Sequence, residues 1–546
     1  MHYHRGMTAA FEDRSLASLF PTASEIPEPA RIHRGDQPPS MLIDGRVRTV
    51  HGTDQQIPVY SRVGMREGNE LAPVLVGFEP KVGPHEVAEA IGASERALAN
   101  GNGGWSAAAP EVRIAAVEKF ATQLAADTER IARLLMWEIG KPLASGRAEV
   151  TRSLDYIKDT IAELRVLGGG GIYTGQAGKT THYARDATRP LGTVLCVAPF
   201  NYPINEFLTT VIPALLMGNV VIAKTPRFGV LANQVLMAAF AEAFPAGVVA
   251  LLPGDGRVVL PAVISHRTND VFGNAKGTID VLAFIGSEGA ANAILAQHPT
   301  PSFVHKILGL GAKNAAIVLP GANAIDVAGK LAKGSLGFNG QRCTAEKIVF
   351  VPAGSEGDAV VAVLADRVAR LPLGMPWDPA AAITPLPEPT KLAAMWALLS
   401  DATARGAMIV NPGGGNGYYS IMRPAVLDHV ALGMKIYDEE QFGPIVPIVR
   451  YRDVAEVVEW HVRSPYGQQV GIHGPESPAR REVVSTLASF VARINLNDVC
   501  QRGPDTFGFT AADKSGFGTL SIRNALLAFS RNVIVQSPER AAVEGP

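Results

Sequence analysis

Three cysteines in 546 residues, Cys196, Cys343 and Cys500, are too few and too scattered for a disulfide framework, and no C-x-x-C pair or His/Cys/Asp cluster offers metal-ligand spacing. Charge of one sign is lacking as well: 50 Lys and Arg face 51 Asp and Glu, a net charge of −1. Neither nucleic acid nor an anionic membrane surface is expected to attract such a chain. There is no unbroken apolar run of spanning length, because the most apolar stretch, LTTVIPALLMGNVVIAK (208–224), is interrupted by Pro213 and by Gly218-Asn219. It reads as a buried helix, a turn and a buried strand, so no membrane partner is expected. The first twenty residues hold no apolar core ahead of a cleavage site and carry acids early, unlike a secretory or transit peptide. A reducing cytoplasm fits these absences.

What is present is length and apolar content. With 47% hydrophobic residues the chain is long enough for two large domains, each with its own core. Residues 1–45, rich in Pro, Arg and His, read as an arm laid on the surface. Ile114, Val117, Phe120, Leu124, Ile131, Leu134, Leu135 and Ile139 recur at helical spacing, as one long helix or two in succession. The stretch GGGGIYTGQAGKTTHYARDATRP (168–190) reads as a β-hairpin or flap. From 191 to 284, and again from about 313 to 475, short apolar strands alternate with helices, which predicts two α/β domains with parallel sheets covered on both faces. The segment LLAFSRNVIVQ (526–536) is expected to be a strand that pairs with the flap, within or across subunits.

Doubly wound sheets bind ligands beyond the carboxyl ends of their strands, so the residues that follow each strand carry most of the functional information. NVVIAK ends in Lys224, with Arg227 three residues on: one cation to hydrogen-bond a ribose and a second suited to an added phosphate, or else a solvated basic turn. Gly286 and Ser287 in FIGSEG stand at a strand-to-helix junction, where backbone N–H groups can receive a phosphate. Asn201 in APFNYP is held between two prolines, placed to donate to a developing oxyanion. Cys343 in FNGQRCTAE (338–346) directly follows an arginine, and is either a nucleophile or a buried thiol.

APFNYP, NVVIAKTP, FIGSEG, GLGAKN, FNGQRCTAEK, EEQFGPIVP and NLNDVCQRGPDTFGF follow one another as in the aldehyde dehydrogenase superfamily, over roughly residues 110 to 535. The chain resembles most closely its non-phosphorylating, NADP-dependent glyceraldehyde-3-phosphate dehydrogenase branch. The resemblance implies that Cys343 attacks an aldehyde, that Asn201 and the Cys343 N–H hold the oxyanion, and that a thioester forms as hydride leaves. It implies that Lys224 and Glu440 hold the cofactor's two riboses and that Phe442 also belongs to the cofactor site. Where NAD-preferring relatives often have an acid, Arg227 implies NADP, with NAD as the lesser possibility. Arg152, Tyr202, Arg342 and Arg502 match the positions with which that branch grips a substrate phosphate. Cys196 is expected in the core, and Cys500 is given no role.

The pattern fails in two places. The family's general-base glutamate is replaced by Gly309, and a lysine usual nine residues beyond the oxyanion asparagine is Thr210. Three readings follow. Another carboxylate, Glu206 or Glu346, serves as base; or the thioester passes to coenzyme A; or the protein binds NADP and phosphorylated aldehydes with little turnover. Hydrolytic oxidation of a small phosphorylated aldehyde comes first, because of the phosphate set. The implied architecture is an aldehyde dehydrogenase-like α/β fold: arm 1–45, cofactor domain 46–165 and 191–308, catalytic domain 309–505, and a β oligomerisation element from 166–190 and 520–546. A flap and terminal strand with open edges predict a homodimer or homotetramer.

Overall fold

The computed structural model describes residues 10–32, 37–68, 70–98, 104–167, 171–269 and 273–544. The first nine residues of the arm, its residues 33–36 and the glycine run 168–170 of the flap lie outside the described residues. The expected alternation is present. Thr193–Val197, Val220–Lys224, Val249–Leu252, Val281–Ile285 and His305–Gly309 pair in parallel, the first four rich in β-branched residues and buried on both faces, the last only partly buried. Ser40–Ile43 adds antiparallel at one side and Gly516–Phe517 at the other, closing an eight-stranded sheet. The arm boundary expected at residue 45 therefore falls inside the hairpin of Ser40–Ile43 with Arg46–Thr49.

A second, seven-stranded sheet runs in the order Met408–Ile409, Ala425–Asp428, Ile445–Tyr451, Ile348–Pro352, Ala315–Val318, Gln469–His473, Arg493–Leu496, parallel except at its first strand. The chain passes directly from His305–Gly309 at the carboxyl edge of the first sheet to Ala315–Val318 at the amino edge of the second. The GLGAKN segment is that bridge, so residues at the two edges meet around it.

The flap is the hairpin Tyr173–Ala177 with Thr180–Pro190, and Ser530–Ser537 adds to it within the same chain, from Ser530 opposite Pro190 to Ser537 opposite Tyr183. The expected terminal strand starts later than read: Leu526, Leu527 and Ala528 belong to the helix Ile522–Ala528, which buries Ile522, Ala525 and Leu526. The helical pattern 110–139 is two helices, Pro110–Ala126 and Thr128–Ile139, the second ended by Gly140 at φ 65°. Among the described residues no helix is long and apolar enough to cross a membrane.

Candidate active site

Four parallel strands deliver their carboxyl ends side by side. Asn201 follows Thr193–Val197, Lys224 ends Val220–Lys224, Gly286 and Ser287 follow Val281–Ile285, and Gly309 ends His305–Gly309. Strand order reverses between Thr193–Val197 and Val281–Ile285, the crevice where such sheets receive a ligand. Lys224 is buried, and its Nζ donates to the Thr225 carbonyl at 2.6 Å. Burial pulls its pKa down to about 8, against the charges of Glu79 and Asp255. Thr225 Oγ1 beside it is buried without a partner, and Arg227 is exposed against the Phe228 ring. Ser287 caps the helix Glu288–Leu295 by accepting from the Ala290 N–H. A buried amine, an exposed guanidinium and an unpartnered hydroxyl make a donor set that fits a phosphorylated ribose.

Cys343 lies ahead of a strand, on the turn that joins the helix Ala324–Leu336 to Ile348–Pro352. The turn is held in an uncommon conformation: Phe338 and Asn339 have φ 52° and 56°, and Gly340 has φ 73°. A Cβ on Gly340 would stand 2.6 Å from the Gly443 carbonyl, so glycine lets this turn close on the EEQFGP loop. Asn314 Nδ2 and Lys347 Nζ both donate to the Cys343 carbonyl, at 2.9 and 2.5 Å. The Cys343 N–H bonds to none of the described residues, and Asn201 Nδ2 donates at 2.9 Å to Gln341 O, two residues before the thiol. Lys347 also pairs with Glu440 at 2.9 Å, and the Phe442 ring packs near Phe200.

The four residues expected to grip a phosphate come together unevenly. Arg152 donates twice to Asp505, at 3.0 and 2.9 Å. Arg502 pairs with Glu206, lies 3.3 Å from Asp505 and donates to Leu520 O at 2.9 Å. Arg342 turns its guanidinium onto the end of the helix Ala324–Leu336, donating to Gly334 O at 2.6 Å and Gly337 O at 3.2 Å. Tyr202 lies against Phe338 and under Lys141, and burial raises its hydroxyl pKa to about 12, moderated by the charge of Arg342. Each of these guanidiniums has protein partners, and for the buried Arg502 they offset the cost of an unpaired buried charge. Glu346, the other candidate base, is fully buried: its Oε1 accepts from the Cys500 N–H at 3.2 Å, its Oε2 has no partner, and it is pressed against Gly334 and Gly471.

A family model for the aldehyde dehydrogenase family matches residues 75–535. The chain belongs to that family. Among curated members of the aldehyde dehydrogenase family it is 33% identical over 433 residues to the NADP-dependent glyceraldehyde-3-phosphate dehydrogenase of Streptococcus equinus, covering 78% of this chain and 86% of the relative. The pea enzyme of the same name, from Pisum sativum, is 30% identical over 415 residues, 75% of this chain and 80% of its own. The crystal structure of the Bacillus halodurans C-125 enzyme of that name, complexed with NADP, superposes with a TM-score of 0.82 at 29% identity, over 92% of this chain and 99% of that one.

Several residues of this aldehyde dehydrogenase site escape motif reading. Lys313 Nζ holds Ile436 O, Glu439 O and Gln441 Oε1 at 2.7, 2.6 and 2.9 Å, tying the bridge to the EEQFGP loop. Lys141 pairs with Glu149 in full burial and donates to the Asn201 carbonyl at 2.8 Å. Glu149 in turn accepts the Ile204 and Asn205 N–H groups at 2.9 and 3.0 Å, fixing the start of the helix Asn205–Leu216. The signal for Glu149 is present in the sequence: it is an acid at a helical position otherwise filled by buried side chains.

Burial, with the Glu206 charge next, pushes the Cys343 thiol up to about 11, so at neutral pH it is protonated in the free protein. Alkylation of Cys343 by iodoacetamide is therefore expected to quicken about tenfold per pH unit from 7 to 10. Cys196 and Cys500, both buried, should stay unlabelled in the same digests. A labelling rate flat above pH 8 would contradict this thiol environment.

Proposed function

We propose that the protein oxidises a small phosphorylated aldehyde of the glyceraldehyde 3-phosphate type to its acid, with NADP as oxidant, through a thioester on Cys343. The observation that carries the reading is the juncture of Asn201 with the Cys343 turn, an amide donor on the Gln341 carbonyl two residues before Cys343, whose own N–H takes no partner among the described residues. Cys343 is the nucleophile; the Asn201 amide and the Cys343 N–H hold the oxyanion. Lys224 and Arg227 would hold the phosphorylated ribose, Gly286 and Ser287 would border the pyrophosphate, and Glu440 and Phe442 would hold the nicotinamide end. NADP, when bound there, supplies the hydride acceptor. The substrate phosphate is taken by Arg152 and Arg502 in exchange for Asp505, with Tyr202 beside them and Arg342 bracing the turn. The names of the relatives support this substrate class. Three unpaired cysteines favour the cytoplasm, and the edges of the flap sheet favour a homodimer or homotetramer.

The test follows NADPH and acid during turnover of glyceraldehyde 3-phosphate with NADP, with and without coenzyme A. Steady release of 3-phosphoglycerate without coenzyme A is expected. A burst that stalls until coenzyme A is added would instead make the protein an acylating dehydrogenase, and no NADP reduction with any aldehyde would leave only a binding protein.

A further inference from the structure

Hydrolysis of a Cys343 thioester needs a group to take a proton from water, and Gly309, at the end of its strand, has no side chain to do so. Acids near the thiol can be sorted by their partners. Glu149 is occupied by Lys141 and two N–H groups, Asp505 by Arg152 and Arg502, and Glu440 by Lys347, while Glu346 is sealed from water at 0% side-chain exposure, its Oε1 on the Cys500 N–H and its Oε2 without a partner. Glu206 differs. It stands in the first turn of the helix Asn205–Leu216, five residues beyond Asn201, and its N–H donates to Tyr202 O at 3.1 Å. Its Oε2 accepts from Arg502, no described residue donates to its Oε1, and its side chain keeps 9% exposure. Of all charges acting on the Cys343 thiol, that of Glu206 is the largest.

Resting on the hydrolytic reading above, we propose that Glu206 is the general base of deacylation, oriented by Arg502. Glu206 Oε1 takes a proton from a water whose oxygen bonds to the acyl carbon. The C–S bond breaks, its electron pair goes to the Cys343 sulfur, and the proton passes from Glu206 to that thiolate as the acid leaves. No further reactant is needed. A carboxylate on the first turn of a packed helix, with one oxygen clamped and one free, is oriented as a base must be.

Glu206→Gln, mixed rapidly with glyceraldehyde 3-phosphate and NADP, is expected to release one NADPH per subunit at the wild-type rate. Its steady rate should then fall on the order of 100-fold or more. Hydroxylamine, which attacks a thioester without a base, should restore turnover and yield the hydroxamate. Glu206→Asp keeps the charge and withdraws it by one methylene, and guards against a folding failure: it should slow the steady rate about tenfold and spare the burst. Wild-type steady rates in either variant would overturn the proposal. So would loss of the burst in a variant that still binds NADP, which would mark Glu206 as a support for Arg502 alone. Wild-type protein that itself stalls without coenzyme A would defeat the hydrolytic reading, an outcome distinct from either.

Discussion

Cys343→Ala is expected to lower aldehyde oxidation by about four orders of magnitude or more, because the covalent route is removed and nothing replaces it. The other thiols offer no substitute: Cys196 is sealed in the strand Thr193–Val197, and Cys500 is buried under Glu346. The turn should survive, since the contacts of residue 343 that hold it come from its backbone carbonyl, through Asn314 and Lys347. NADP affinity by titration calorimetry should therefore match wild type while NADPH formation vanishes. Retained turnover in this variant would remove the thioester mechanism altogether, and with it the role given to Glu206.

Much of this arrangement is legible before any coordinates. Parallel strands buried on both faces must be apolar throughout, so NVVIAK and VLAFIG declare themselves, and the residues that end them then point to Lys224 and Ser287. The long hairpin Gln56–Glu67 with Glu70–Pro80 does not, because Pro58 and Pro73 interrupt it, its register slips twice and its burial does not alternate. In the site, motif spacing reaches Asn201, Cys343 and Glu440, which lie in contiguous signatures. It includes Lys313 and Lys347, in GLGAKN and FNGQRCTAEK, but not their work, which is to clamp loops more than a hundred and about ninety residues away through backbone or carboxylate oxygens. Nor does it show how the arginines pair, since Arg152 meets Asp505 across some 350 residues of chain and Arg502 meets Glu206 across almost 300. Spacing identifies which side chains converge, and partner accounting decides which of their atoms remain free.

Lys141→Met is expected to cost about 3–5 kcal/mol of stability, the usual penalty for stripping one member from a fully buried ion pair. Lys141 and Glu149 are 1% and 0% exposed, so the stranded Glu149 carboxylate has no water to turn to. Glu149 also holds the N–H groups of Ile204 and Asn205, and Lys141 holds the Asn201 carbonyl while resting 3.8 Å over the Tyr202 ring. Asn201, Tyr202 and the helix that carries Glu206 thus share one buried support, and activity should fall with stability. Denaturant unfolding separates the charge effect from lost packing. Lys141→Met combined with Glu149→Gln leaves two neutral groups, and Gln can still accept an N–H through its carbonyl oxygen. The double variant should regain a large part of the lost stability, giving a coupling energy that the sum of single substitutions misses. A single Lys141→Met variant as stable as wild type would mean that the pair contributes nothing to holding this side of the pocket.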